Sequence, residues 1–456
     1  MIAQHAAAIR RLPGFLRQVR SDSLVRNSLY IMASTVVTAG LGYLFWVIAA
    51  HVFTRPEVGI GGAVISLCSA VALLTYLGSW ATLIERLPAC ERSSEWTAIL
   101  VGACVATAGV TAVVTAAAAA VLLKSKDYGS FFTSVSPVFV AVVGAAAWTL
   151  VNLFSAAFIA ARRGGRLLSI QTLVSAAKVL FVLPLAAAGA GAVGLVGAWV
   201  ASAVLGVCVG GVWLIPRMRL GRRPGHLPRR RAAGTPDGRL GPYRGARHRR
   251  PAPSAAPFIR RLLGQHLTGV GGAVTPLVLP ILVVFRLGVT LNAYFYITWM
   301  LGGVFFMVSP AVAAALFAES VQARSDLRSV VARALRVIGV MLAPALVVMV
   351  VGGRLILGLF GASYATAGYG LLILLAISAL PDAVSNVAVA VFRVTERLGY
   401  SAVLNLGILA VTLVGAWVLM PPLGIGGVGV AWLGAQTLGA IASVPAYTQI
   451  RGPVTA

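Results

Sequence analysis

Carboxylates are scarce in this chain. Eleven Asp and Glu serve 456 residues, and most fall in short gaps between apolar runs, so no pair of carboxylates sits in an outer loop where acid and base chemistry could be shared. The phosphate cradle G-x-x-x-x-G-K-[ST], the metal pair H-E-x-x-H and the nucleophile elbow G-x-S-x-G are all missing. Enzyme readings lose ground on that basis: a membrane glycosyltransferase needs a sizeable loop with acid or base groups. An ATP-driven pump would have to borrow its nucleotide-binding domain from a partner. No catalytic residue, cofactor site or metal site is assigned. Cysteine is limited to four residues, with Cys68, Cys104 and Cys208 inside apolar runs and Cys90 in a gap, which leaves a disulfide or metal framework unsupported.

What fills the chain is hydrocarbon. Hydrophobic residues make up 59% and charged residues 11%, mean hydropathy is +0.92, and apolar runs of about 20 residues recur, the length needed to cross a bilayer as a helix. The fold class is therefore all-α: a polytopic membrane protein with twelve transmembrane helices. The runs lie near 29–52, 60–84, 97–123, 133–160, 167–188, 191–215, 262–285, 292–318, 332–352, 364–392, 399–420 and 425–449.

The cations sort between alternate gaps. Thirty-one of the 37 Lys and Arg lie on the side that holds both termini, among them Arg26, Arg86, Arg92, Arg162, Arg163, Arg166, Arg393 and Arg397. The other side holds Arg55, Lys124, Lys126, Arg286 and Arg354, and Lys178 alone lies mid-span. By the positive-inside rule the basic side is cytoplasmic, which places the protein in the cytoplasmic membrane with both termini inside. The net charge of +26 then reports topology and contact with anionic lipid headgroups; no recognition fold or aromatic platform accompanies the arginines, so nucleic acid is not an expected partner. Residues 1–27 read as a basic amphipathic cytoplasmic segment without a cleavable leader. Residues 217–261 carry fourteen Arg with Pro, Gly and Ala, the composition of a disordered cytoplasmic linker, either a spacer or an electrostatic tether. The remaining segments are a six-helix bundle over 28–216, a second over 262–450 and a cytoplasmic tail over 451–456.

The two bundles repeat each other. Gly191-Ala-Val-Gly-Leu-Val-Gly-Ala-Trp199 matches Gly424-Ile-Gly-Gly-Val-Gly-Val-Ala-Trp432 at a shift of 233 residues. At nearly that shift Glu85 matches Glu319, Arg162 and Arg166 match Arg393 and Arg397, and Asn152 falls beside the counterpart of Asp382. Six spans per half give both halves the same orientation, so the repeat is parallel, with its pseudo-twofold axis along the membrane normal.

Polar groups inside the spans carry the functional information, because an ionisable group in lipid costs at least about 2.5 kcal/mol unless it faces a cavity or a partner. Lys178 lies near mid-span, where it either attracts an anionic substrate group in a wet lumen or pairs with Asp382 or a backbone carbonyl. Asp382 follows Pro381, so this span combines a helix-kinking proline with a carboxylate that could hold a proton or cation; a hinge, an ion-coupling site and a packing salt bridge are the alternatives, and Asn152 cannot titrate. Arg55 with His51, and Arg286, close the first and seventh spans at the non-basic side as phosphate contacts or as interfacial anchors. Glu85 and Arg86 with Glu319 form a candidate cytoplasmic gate, with capping and loop pairing as the competing explanation. Tyr294, Tyr296 and Trp299 read as an interfacial aromatic belt or a sugar-stacking platform.

With Phe285-Arg-Leu-Gly288, Asn292-Ala-Tyr-Phe-Tyr-Ile297, Ala315-Leu-Phe-Ala-Glu319, Leu359-Phe-Gly-Ala-Ser-Tyr364 and Val391-Phe-Arg393 in order on these spans, the chain resembles the flippases for polysaccharides and lipid-linked oligosaccharides in the multidrug/oligosaccharidyl-lipid/polysaccharide (MOP) exporter superfamily. The resemblance covers about 24–216 and 262–449. It implies a V-shaped pair of bundles that exposes a cationic cavity alternately to the two faces while the lipid tail stays in the bilayer. The partners it implies are an undecaprenyl-diphosphate-linked oligosaccharide, membrane lipids and polysaccharide-assembly proteins. The middles of the first, second, seventh and eighth spans are uncharged, which favours the broader polysaccharide branch over a strongly charged lipid II-type cavity. The alternative is a cation-coupled multidrug antiporter of the same superfamily, which needs a dedicated acidic site; a scaffold of a polysaccharide-synthesis complex and a membrane enzyme without recognised motifs complete the range.

Overall fold

A computed structural model of the chain describes residues 23–90, 92–129, 131–216, 255–323, 327–395, 397–444 and 447. Most of the expected N-terminal segment 1–27, most of the linker 217–261 and the tail 451–456 lie outside the described residues.

Twelve long helices follow one another: α1 (Ser23–Val52), α2 (Arg55–Arg86), α3 (Ser93–Leu122), α4 (Val135–Ala160), α5 (Gly164–Ala187), α6 (Gly191–Val209), α7 (Ala255–Leu287), α8 (Val289–Ala323), α9 (Leu327–Gly358), α10 (Ala362–Val394), α11 (Leu398–Leu423) and α12 (Ile425–Ala442). All twelve contain a stretch long and apolar enough to cross a membrane, and no strand occurs among the described residues. The helices overrun the expected edges: α1 begins at Ser23, inside the segment expected to precede the bundle, and α7 begins at Ala255, inside the expected linker. Apolar periodicity marks where a span is buried in lipid, whereas the helix continues until a cap or breaker stops it.

Local chemistry sets the ends that matter for the site. Pro56 lies in the first turn of α2, where a missing N–H costs nothing, and the Thr54 backbone N–H donates to Glu57 Oε2 at 2.8 Å. Gly288 is the single residue between α7 and α8 and takes a φ of 85°, a left-handed joint that a side chain would resist.

The first six helices form one lobe and the last six another. α1 packs on α5 rather than on its chain neighbour α2, and α7 likewise packs on α11. α2 is the most enclosed span, with 78% of its membrane window buried, against 22% for α3, 17% for α9 and 22% for α11. Those three peripheral helices show large apolar side chains outward, such as Val113, Val351 and Val414, as expected where the surrounding solvent is lipid. The N-terminal lobe is fastened by hydroxyls: Thr111 on α3 meets Thr75 of α2 at 2.7 Å and Thr149 of α4 at 3.2 Å, and Ser79 meets Thr107 at 2.7 Å. The C-terminal lobe is filled with aromatic rings instead, Trp432 lying edge-on to Trp299 and Phe306 with centroids 5.3 and 5.2 Å apart.

Candidate functional site

The lobes meet through α2, α7 and α8, and the contacts concentrate at one end. We call the end carrying Arg26, Arg86, Arg92 and the Arg162–Arg166 corner the basic face, and the other the far face. Close to the far face, Asn292 Nδ2 of α8 donates to Gly59 O of α2 at 2.7 Å. A Cβ at Gly59 would overlap Val289 O, and one at Gly62, a turn further on, would lie 3.0 Å from the Tyr296 ring. Two small residues on one face therefore let α8 approach the α2 backbone, as at other close helix crossings in membranes. Around this crossing Trp46 of α1 packs on Tyr296 with centroids 4.6 Å apart, the Tyr43 hydroxyl donates to Met300 O at 3.2 Å, and the Tyr128 hydroxyl, in the one-turn helix Lys126–Gly129, donates to Ile281 O at 3.2 Å.

These contacts end about halfway across. Met300 is the twelfth residue of α8, roughly 17 Å along the helix at 1.5 Å per residue, in a hydrocarbon core about 30 Å thick. Residues 58–68 of α2 are buried on every side, but toward the basic face Leu74, Gly78, Ala81 and Thr82 of the same helix are exposed. The α2 helix is thus wrapped all round near the far face and bared toward the basic face, and the lobes are closed on one another at the far face.

The sequence candidates distribute over this frame instead of converging. Lys178, half-buried in the middle of α5, reaches into the α1–α5 interface with Nζ 5.9 Å from the Phe45 centroid. Its expected alternative, a pair with Asp382, is not formed, because Asp382 is enclosed by helices of the other lobe. Arg286 is exposed at the end of α7 with Cζ 4.8 Å from the ring of Trp417, itself 44% exposed; Arg354 stacks in the same way on Tyr369 at 4.8 Å. Both are arginines at a helix end lying on an aromatic plane, with guanidinium edges left for polar groups. Arg55 opens α2 within electrostatic reach of Tyr364 of α10, and exposed His51 donates from Nδ1 to Val47 O at 2.8 Å. Glu85 and Arg86 are exposed at the basic end of α2. Glu319 falls near the end of α8, and its side chain lies outside the described residues. Asn152 turns back on its own helix, Nδ2 donating to Trp148 O at 2.8 Å.

The expected aromatic belt of Tyr294, Tyr296 and Trp299 is corrected by the structure. Tyr296 lies in the seal, Tyr294 packs on Tyr364 with centroids 5.1 Å apart, and Trp299 is 7% exposed in the C-terminal core. Their spacing distributes them around α8, a helix enclosed by both lobes instead of by headgroups.

Asp382 stands in a built environment. A cavity of about 280 Å³ lies inside the C-terminal lobe among α7, α8, α10, α11 and α12, lined by Thr275, Asp382, Ser385, Asn386, Asn405 and Gln436 and flanked by Pro276 and Pro310. Asp382 is 5% exposed; its Oδ2, Gln436 Oε1 and Trp432 Nε1 are buried without a hydrogen-bond partner in the protein. Such groups cost free energy unless water or an ion satisfies them, and a polar cavity of this size has room for several waters at about 30 Å³ each. Asp382 is its one lining carboxylate. Pro381 is carried within α10 with Ser385 Oγ donating to its carbonyl at 3.2 Å. Thr275, Asn386, Asn405 and Gln436 escaped the sequence reading, although uncharged amides and hydroxyls mid-span were the signal available.

A solved structure titled an inward-facing multidrug resistance MATE family transporter of the MOP superfamily aligns with a TM-score of 0.65 at 15% identity, over 93% of this chain and 100% of that one. The lipid II flippase MurJ in an inward closed conformation aligns with a TM-score of 0.62 at 10% identity, over 92% of this chain and 90% of that one. The fold is that of the MOP-superfamily transporters. An outward-facing MATE structure matches the chain less well, with a TM-score of 0.52 at 16% identity over 95% of this chain and 97% of that one. No family model and no curated protein matches the chain by sequence.

Proposed function

We propose that this chain is an alternating-access flippase of the cytoplasmic membrane. It carries a lipid-linked oligosaccharide, with undecaprenyl diphosphate as the carrier, or a related cell-surface polysaccharide precursor, from the basic, cytoplasmic face to the far face. The observation that carries the reading is the crossing that closes the lobes on one another at the far face while α2 is bared toward the arginine-rich face. A sugar diphosphate cannot cross hydrocarbon unaided, since its polar groups would lose water without replacement partners. A slot between two lobes removes that barrier, and arginines at its entrance suit phosphate oxygens. With the inside negative, outward movement of an anionic headgroup gains about 2.3 kcal/mol per charge per 100 mV, which supplies a driving force without an ATPase. Lys178 is the mid-membrane cation offered to the headgroup; Arg286, Arg55 and His51 are contacts on the exit side.

A second reading, a cation-coupled multidrug antiporter, is favoured by the Asp382 cavity and by the likeness to MATE transporters. Neither α1 nor α7 contains an acidic residue, so coupling in either reading falls to Asp382, with Pro381 beside it as the hinge. Reconstitution in liposomes with a fluorescent lipid-linked sugar separates the two. The flippase reading expects accelerated movement across the bilayer, reduced by Lys178→Ala and by Arg286→Ala at equal protein abundance. Cation-driven drug efflux with no movement of any anionic glycolipid would replace it with the antiporter.

A further inference from the structure

The N-terminal lobe carries an apolar groove that the transport reading does not use. It has a volume of about 380 Å³ and lies between α3 and the end of α6 over α4, lined by side chains that include Leu100, Val105, Ala108, Phe154, Gly211 and Ile215. The groove exists because α6 changes its winding. Residues Gly210–Leu214 form a π-helical turn, in which Ile215 N–H donates to Gly210 O; such a turn inserts one residue and recurs at functional positions. Gly210 is packed hard on the lobe, since a Cβ there would lie 2.6 Å from Phe154 and 2.8 Å from Ile170, whereas a Cβ at Gly211 would meet nothing within 4 Å. The turn thus presses one glycine inward and leaves the next as the groove's empty wall. Among the described residues this winding occurs only at the end of α6.

Charge stands at the basic end of the groove. Arg166 Nη1 donates to Leu214 O at 3.1 Å, which sets its guanidinium beside Ile215, and Arg162 and Arg163 are exposed at the same α4–α5 corner. An apolar channel that opens sideways to the bilayer through Val101 and Val105, 48% and 69% exposed, and ends at clustered arginines fits an amphiphile with an anionic head. We infer that this groove seats one acyl chain of an anionic glycerophospholipid from the leaflet on the basic face, with its phosphate at the Arg162–Arg166 corner. The seat is independent of what passes between the lobes, since its lining belongs to the lobe's outer side and shares no residue with the seal or with the Asp382 cavity.

Native mass spectrometry of the full chain from detergent, with phosphatidylglycerol and phosphatidylcholine of equal chain length as probes, tests the assignment. Wild type should retain one phosphatidylglycerol in preference to phosphatidylcholine. Gly211→Leu and, independently, Ala108→Phe should lower that retention about tenfold, by filling the space that the acyl chain takes. Arg163→Gln should reduce the preference for the anionic head while leaving the tail-filling effect intact. Retention in both filled variants equal to wild type overturns the inference, as does equal retention of the two lipids. Undecaprenyl phosphate displacing phosphatidylglycerol at lower concentration would make the groove a seat for a carrier lipid and overturns the assignment to a phospholipid.

Discussion

Replacing Gly59 by valine should open the far face. In the closed arrangement a Cβ at Gly59 overlaps Val289 O, and the Gly59 carbonyl accepts from Asn292 at 2.7 Å, so the substitution both overfills the crossing and strains its hydrogen bond. Overpacking costs about 1–3 kcal/mol, and a lost hydrogen bond about 0.5–1.5 kcal/mol. Together these penalise the sealed state by about 2–4 kcal/mol, and they do not burden a state in which α2 and α8 have separated. At 1.4 kcal/mol per decade the equilibrium moves by roughly 30- to 700-fold, so a starting ratio of about 99:1 in favour of the seal would end between about 3:1 and 1:7. Spin labels at His51 and Thr290, both exposed on the far face, report the change as a longer distance population in pulsed electron resonance. The exposed Cys208 is replaced by serine for the labelling. Gly78→Val supplies the control, because the space around its Cβ is open and Gly78 is exposed on the same helix away from the crossing. A Gly59→Val distribution that matches wild type, in a protein as well folded as the Gly78→Val control, would refute the seal.

Further outcomes follow from other parts of the site. Asp382→Asn should abolish the response of transport to a proton or sodium gradient in proteoliposomes while leaving the folded protein intact; an unchanged gradient response would remove Asp382 from coupling. Thr111→Val loses hydrogen bonds to both Thr75 and Thr149 and should lower stability by about 1 kcal/mol, given about 0.6 kcal/mol for an average interhelical bond in a membrane; Thr97→Val, an exposed residue bonded to its own helix, should be neutral in the same unfolding assay. Burial first, and then the neighbouring Asp127 charge, hold the Tyr128 hydroxyl above the ordinary tyrosine value of 10.0. A raised value favours the neutral donor in the sealed state, so this contribution is fully present below pH 10 and is lost as pH rises beyond it. Label distances in wild type should therefore be flat between about pH 7 and 9, whereas Tyr128→Phe should weaken closure throughout that range by about 1 kcal/mol.

The architecture was legible because hydrocarbon length and cation placement are properties of the chain alone. A run of apolar residues must be helical in lipid whatever packs on it. Site geometry obeys a different rule. Arg286 and Lys178 were singled out for the cost of charge in a membrane, yet that cost is reduced as well by lying on a ring as by facing a lumen, and Trp417 is 131 residues from Arg286 along the chain. Tyr294, Tyr296 and Trp299 were misassigned to an interface because spacing on one helix cannot say what encloses that helix. The residues around Asp382 went unnoticed for a related reason: Asn405 and Gln436 are uncharged, and only the convergence of five helices turns them into one cavity.

The repeat also constrains where the two lobes can touch. In a protein with a pseudo-twofold axis, residues related by the repeat can touch one another only on that axis. Gly59 and Asn292 hydrogen-bond, and they are separated by 233 positions, the same shift that relates the Gly-rich starts of the sixth and twelfth spans. The seal therefore lies close to the axis, on the two helices α2 and α8 that the repeat relates, where a glycine offers its carbonyl and an asparagine its amide. Symmetry is broken around it in a consistent direction: α7 packs along α2, while the equivalent approach of α1 to α8 is looser and held by Tyr43 and Trp46. Opening toward the far face thus requires α8 to leave α2 against a hydrogen bond and two glycine contacts, whereas the loose α1–α8 side can part at the cost of one hydrogen bond and one aromatic contact. That side is where a substrate with a lipid tail would most easily keep its tail in the bilayer while its headgroup passes between the lobes.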